Sequence, residues 1–100
     1  MSQEAPATPN ALLLEAVDRA LEGDWQAAHR IVQDHEADPV AAWIHAVVHR
    51  MEGDLENARY WYRRCRRELR AEVSTDAELR QIRAALLAAA PPTGKEPRDP

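Results

Sequence analysis

Apolar residues recur at spacings of three and four in five separate stretches of the chain, and no stretch alternates apolar and polar as a half-buried strand would. The first stretch places Leu13, Val17, Ala20 and Leu21 on one side, with Leu12 and Ala16 beside them. It predicts a helix from Pro9 to about Glu22, opened by Thr8 as N-cap and Pro9 at the first helical position. The second predicts a helix from the Asp24 cap to about Glu36, with Trp25, Ala28, Ile31 and Val32 inward. Asp38-Pro39 repeats the cap-plus-proline opening for a third helix to about Glu52, carrying Val40, Trp43, Ile44, Val47, Val48 and Met51. Asp54 caps a fourth helix, whose seam Leu55, Ala58, Tyr62, Cys65 and Leu69 predicts continuation to about Arg70. Thr75 to Glu78 reads as a capping box for a fifth helix with Leu79, Ile82 and Leu86 inward, fading through Ala88 to Ala90 before Pro91.

Two of the junctions are copies of each other. Leu21-Glu-Gly-Asp-Trp-Gln-Ala-Ala28 returns as Met51-Glu-Gly-Asp-Leu-Glu-Asn-Ala58, 30 residues later. Glycine just past a helix end adopts the left-handed conformation without a Cβ clash. An aspartate immediately after it accepts from the free N–H groups of the next helix. Gly23-Asp24 and Gly53-Asp54 therefore each predict a stop followed at once by a start, which folds the two flanking helices back as an antiparallel hairpin. A hairpin copied at a fixed period predicts a helical repeat architecture. The expectation is an all-α protein of five helices: two hairpins and a C-terminal packing helix.

Composition sets the limits of this domain. Pro91 to Pro100 holds four of the seven prolines and almost nothing apolar, which predicts a disordered tail over 91–100. A loose N-terminus over 1–8 leaves a single helical domain over 9–90, with a modest core. No apolar run approaches a membrane span, and no basic segment followed by an apolar run opens the chain. The single cysteine rules out an intrachain disulfide and suits a reducing compartment, so the expected location is cytoplasmic. The net charge of −4 is unevenly spread. Residues 1–58 sum to −8, whereas Arg59 to Arg70 sum to +5, six arginines against Glu68.

The second hairpin resembles a tetratricopeptide repeat. Trp43 is an early aromatic in its first helix, Ala46 a small residue at the helix crossing and Gly53 the turn glycine. Ala58, Tyr62 and Cys65 follow in that family's small-aromatic-small spacing. The first hairpin keeps Ala16, Gly23 and Ala28, but has Val32 and His35 at the later positions, and the period of 30 is shorter than the family's. The stretch Asn57-Ala-Arg-Tyr-Trp-Tyr-Arg-Arg64, with His45 and His49-Arg50 before it, also resembles a set of small uncharacterised bacterial proteins, which implies no activity. The tetratricopeptide resemblance implies a concave face that binds peptides. Carried over by position, that face comprises Asn10, Leu13 and Val17 in the first hairpin and Val40, Trp43, Val47 and Arg50 in the second. Either the fifth helix packs over these residues through Leu79, Ile82 and Leu86, or they stay open to a partner or a second copy of the chain.

Three other groupings carry candidate chemistry. His45 and His49 are one turn apart and share a helix face, a spacing that can chelate zinc. Ala46 occupies the place where the metalloprotease pattern has glutamate, and no cysteine pair completes a structural zinc site. His29, His35, Glu52 or an acid elsewhere could supply a third ligand, but spacing does not choose among them; the competing reading is a pair of half-buried hydrogen-bonding histidines, and no metal or cofactor is expected. The second grouping is the Arg/aromatic helix, where Trp61, Arg63, Arg64 and Arg67 could bind phosphate or stack on bases. The acidity of the rest argues against a broad nucleic-acid surface, and the arginines could instead pair with Glu52, Asp54 or Glu56. The third is catalysis, which the chain does not favour: glycines at 23, 53 and 94 make no phosphate loop, Ser74 and Thr75 read as caps, and Cys65 sits on a packing seam. The expectation is a non-catalytic module that binds protein or peptide, with anion or nucleic-acid binding by the Arg/aromatic helix as the alternative.

Overall fold

The two Gly-Asp junctions are where the chain reverses. The computed structural model describes residues 9–89. It contains α1 (Asn10–Leu21), α2 (Trp25–Val32), α3 (Pro39–Glu52), α4 (Leu55–Arg64) and α5 (Thr75–Ala89), and no strand among the described residues. Gly23 and Gly53 both stand in the left-handed region, at φ 93° and 91°. Behind each, two backbone bonds close the last turn of the helix. Gly23 N–H donates to Ala20 O and Asp24 N–H to Arg19 O, while Gly53 N–H donates to Arg50 O and Asp54 N–H to His49 O. These pairs satisfy carbonyls that a helix end would otherwise leave unbonded. Each aspartate then caps the next helix, with Asp24 accepting from Ala27 N–H and Asp54 from Asn57 N–H. Asp38 accepts from both Val40 and Ala41 N–H ahead of Pro39, so the third cap also forms as its sequence implies.

Two helices are shorter than their patterns predict. α2 ends at Val32, because its apolar stripe ends there and the chain turns twice, with His35 N–H on Val32 O and Asp38 N–H on His35 O. α4 ends at Arg64, nearly two turns before the predicted end. Arg66 adopts φ 63°, Arg66 N–H donates to Arg63 O, and Arg67 N–H reaches back to Tyr62 O. This is the same closure as at the two glycines, made by an arginine that no glycine signal announces. Cys65 and Leu69 thus flank the core from a loop and are only partly buried.

The two other expected caps differ. Pro9 occupies the cap position of α1 and no side chain bonds there; Thr8, predicted as that cap, lies outside the described residues. At α5 the capping side chain is Ser74, whose Oγ accepts from Ala77 N–H. Glu78 does not close a capping box: it points into the core at 1% exposure. The readings for 1–8 and 91–100 fall outside the described residues.

α1 packs on α2 and α3 on α4 as hairpins, α2 packs on α3 to join them, and α5 lies against α1 and α3. Leu13, Ala16, Val17, Trp43, Ile44, Val47, Tyr62, Leu79, Ile82 and Leu86 form one buried cluster. Ala46 and Ala58 are fully buried, and small residues there let the helix backbones approach. The α5 side chains Leu79, Ile82 and Leu86 enter this core, each burial contributing roughly 1.5–3 kcal/mol at most. Tethers at the rim add to it: Asn10 Nδ2 donates to Leu86 O at 3.1 Å, and Arg83 pairs with Asp18 at 3.0 Å. Among the described residues no helix is long and apolar enough to cross a membrane.

Candidate functional site

The residues that the resemblance places on a concave partner face are packed away, the first of the two alternatives left by the sequence. Leu13 is 2% exposed, Val17 and Val47 0%, and Trp43 5%. The fifth helix covers this face. The seal is polar as well as apolar, and it is centred on Glu78. Oε2 of Glu78 accepts from the Trp43 indole Nε1 at 2.8 Å. Oε1 accepts from the Tyr62 hydroxyl at 2.7 Å and from Arg50 Nη1 at 2.7 Å. Arg50 Nη2 also donates to Val73 O, which fixes the loop before α5. The Arg67 guanidinium lies 3.3 Å from the centroid of the Trp43 ring and closes the cluster from the loop side. A buried carboxylate is tolerated only with such a complete set of donors. Burial, together with the bond to Glu78, raises the Tyr62 pKa well above that of an ordinary phenol. With both oxygens of Glu78 engaged, this arrangement is a structural latch. Arg50, predicted as a groove residue, is one of its members.

A second cluster lies where α2 meets α3. His45 and His49 stack with ring centroids 5.0 Å apart and an interplanar angle of 17°. His29 stands nearly perpendicular to both, with its centroid 4.7 Å from His45 and 5.4 Å from His49. The other face of the cluster is closed by Trp61, stacked on His45 at 3.9 Å and 12°. His45 and His49 are buried, at 3% and 8% exposure, and His29 is half-buried. Burial, reinforced by the neighbouring histidines His29 and His49, lowers the His45 pKa to about 3, so its imidazole is neutral at physiological pH. Burial and His49 likewise lower His29. Glu52 Oε1 accepts from His49 Nδ1–H at 2.9 Å, which leaves Nε2 of that ring unprotonated when the ring is neutral. The sequence singled out His45 and His49; packing of α2 on α3 adds His29.

The arginine segment forms a third region. Trp61, which the sequence offers for stacking on bases, is 7% exposed and stacked against His45, so its ring is not a platform for a base. Arg64 sits over its edge and bonds the Tyr60 hydroxyl. Arg59, Arg63, Arg64, Arg66 and Arg67 are exposed and Arg70 is half-buried. None of the six forms an ion pair with a carboxylate among the described residues; the expected pairing with Glu52, Asp54 or Glu56 does not occur. A depression of about 350 Å³ on this side is lined by Arg59, Tyr62, Arg63, Arg67, Glu68 and Leu69. Cys65 faces inward, its thiol donating to Trp61 O and Tyr62 O and its pKa raised by burial.

Comparison with protein-family models, with curated proteins and with solved structures finds no match to this chain.

Proposed function

We propose that the protein is a non-catalytic binding module that takes an acidic protein segment on the arginine face of α4 and the loop after it. One observation carries this reading: six arginines between residues 59 and 70 have no carboxylate partner among the described residues, although most of the chain is acidic. Arg59, Arg63 and Arg67 share one depression and repel one another there, and an incoming set of carboxylates relieves that repulsion while gaining forked guanidinium bonds. The depression between Arg59, Arg63 and Arg67 gives such side chains a place to enter. The tetratricopeptide-like reading of the hairpins belongs to the same proposal, supported by the crossing alanines Ala46 and Ala58, but the partner face moves from the filled concave side to the outer helix. Binding of single-stranded nucleic acid is the second reading. It is disfavoured because that mode uses exposed aromatic faces, while Trp61 is stacked on His45 and Trp43 lies under Arg67.

The test is fluorescence anisotropy of labelled polyglutamate and of a labelled oligonucleotide against the full chain at increasing salt. Polyglutamate should bind, weaken with salt, and bind far more weakly to Arg59→Gln/Arg63→Gln, whose side chains are exposed and make no side-chain hydrogen bond or ion pair among the described residues. Tighter binding of the oligonucleotide would favour the second reading. Binding of neither ligand, or polyglutamate binding unchanged in the double variant, would refute the arginine face.

A further inference from the structure

We propose that His29, His45 and His49 form a site for a borderline divalent transition ion, Zn2+ foremost, which ties α2 to α3. Each ring offers one nitrogen, and the three nitrogens lie within 4.8 Å of one another. Tetrahedral zinc with three imidazoles needs nitrogens about 3.4 Å apart, from bonds of about 2.0–2.1 Å. Binding would draw the three rings together by about an ångström, with half-buried His29 the freest of them to turn. The donor set is all imidazole nitrogen, which suits zinc, copper or nickel and not the hard cations that prefer oxygen.

Two further observations point to a ligand. Nδ1 of His45 is buried with no hydrogen-bond partner among the described residues, a state that destabilises the fold when nothing compensates it. Glu52 meanwhile holds His49 by Nδ1, the carboxylate–histidine arrangement that orients a ligating ring through its other nitrogen. The stacked indole of Trp61 shields one side of the cluster, and half-buried His29 provides the way in. A second grouping, His49 with Glu52 and Asp54, has comparable spacing, but its two carboxylates are more exposed and Asp54 is already spent on Asn57. Glu52 stays on Nδ1 of His49 as the orienting carboxylate, and water completes the fourth position. Bound this way the ion is a clamp: one ligand comes from the first hairpin and two from the second, so the metal joins them.

The experiment uses the full chain, free of any affinity tag and stripped with chelator. Zn2+ is titrated by calorimetry and Co2+ by visible absorption. One ion per chain should bind, Co2+ should show the intense bands of tetrahedral coordination, and Zn2+ should raise the melting temperature. Glu52→Gln should weaken Zn2+ roughly 10- to 100-fold, the usual loss for an orienting carboxylate. His29→Gln should weaken it more and remove the thermal shift. His29 is half-buried on the short helix, so this variant is expected to keep its far-ultraviolet dichroism where His45 substitutions could unfold the core. A wild-type dissociation constant weaker than about 0.1 mM, roughly 5.5 kcal/mol of binding, would overturn the proposal. So would a Co2+ spectrum or Zn2+ affinity that is the same in His29→Gln.

Discussion

The indole of Trp43 donates to the carboxylate of Glu78 across 35 residues of sequence, at 2.8 Å and inside the core. This bond joins the helix that would line an open groove to the helix that fills it. Tyr62 and Arg50 bring the third and fourth helices to the same carboxylate, so one side chain of α5 is read by two other helices at once. Apolar packing of α5 could tolerate sliding; three directional bonds set its position along and around its axis.

Glu78→Ala should be among the most damaging single substitutions. It leaves Arg50, Trp43 and Tyr62 with unanswered donors and Arg50 with an uncompensated charge, a loss of about 3–5 kcal/mol. Urea denaturation measures it, and tryptophan emission should shift to the red as Trp43 is wetted. A loss below about 1 kcal/mol would show that the latch is ornamental to the fold.

The same bond predicts an alkaline limit. Tyr62 has its folded-state pKa raised, by burial first and by the Glu78 bond next, so the folded chain holds the phenol proton that the unfolded chain releases near pH 10. Its contribution is therefore complete below about pH 10 and lost above it, at up to about 1.4 kcal/mol per pH unit. The Cys65 thiol, also raised by burial, adds a loss of the same sign. Tyr62→Phe should flatten the alkaline slope of denaturation midpoints while lowering stability near neutrality by about 1–3 kcal/mol, since Glu78 loses a donor.

The three left-handed stops should respond in opposite directions. A Cβ at Gly23 or Gly53 would meet nothing within 4 Å, so the cost of Gly→Ala there is backbone strain alone, about 1 kcal/mol. Arg66 already bears that strain at φ 63°. Arg66→Gly should accordingly stabilise the chain by up to about 1 kcal/mol in thermal or urea melts. Destabilisation by Arg66→Gly would mean that its side chain makes a compensating contact.

Removing the lid should be worse than weakening it. A chain ending at Val73 lacks Leu79, Ile82 and Leu86, and it uncovers Leu13, Val17, Trp43 and Val47 together. Such an apolar face on so small a protein should drive self-association or unfolding, detectable by light scattering and loss of far-ultraviolet dichroism. A truncated chain that stays monomeric and folded would show that α5 is dispensable.

What the sequence determined by itself is whatever a few neighbouring residues can settle. Gly23-Asp24 and Gly53-Asp54 stop one helix and start the next through bonds that span three to five residues, and Asp38-Pro39 opens a third in the same way. The apolar stripes of the five helices follow from a period of 3.6 and came out on the buried or half-buried side, except Leu55, which opens the predicted seam of α4 but is 45% exposed because it lies in the first turn, beyond the reach of α3. Tertiary structure decided the rest, because the decisive partners lie far apart along the chain. Glu78 looks like the end of a capping box when read locally; its place on the Leu79–Ile82–Leu86 stripe was the available signal that it is buried, but only the meeting of Trp43, Arg50 and Tyr62 makes a carboxyl group tolerable there. Trp61 turned inward because His45 offers its ring a stacking partner, His29 joined His45 and His49 because α2 packs on α3, and α4 stopped at Arg64 because an arginine accepts the left-handed strain that the sequence marks only with glycine. Those contacts carry energy only once the helices are assembled, so no window of a few residues contains them.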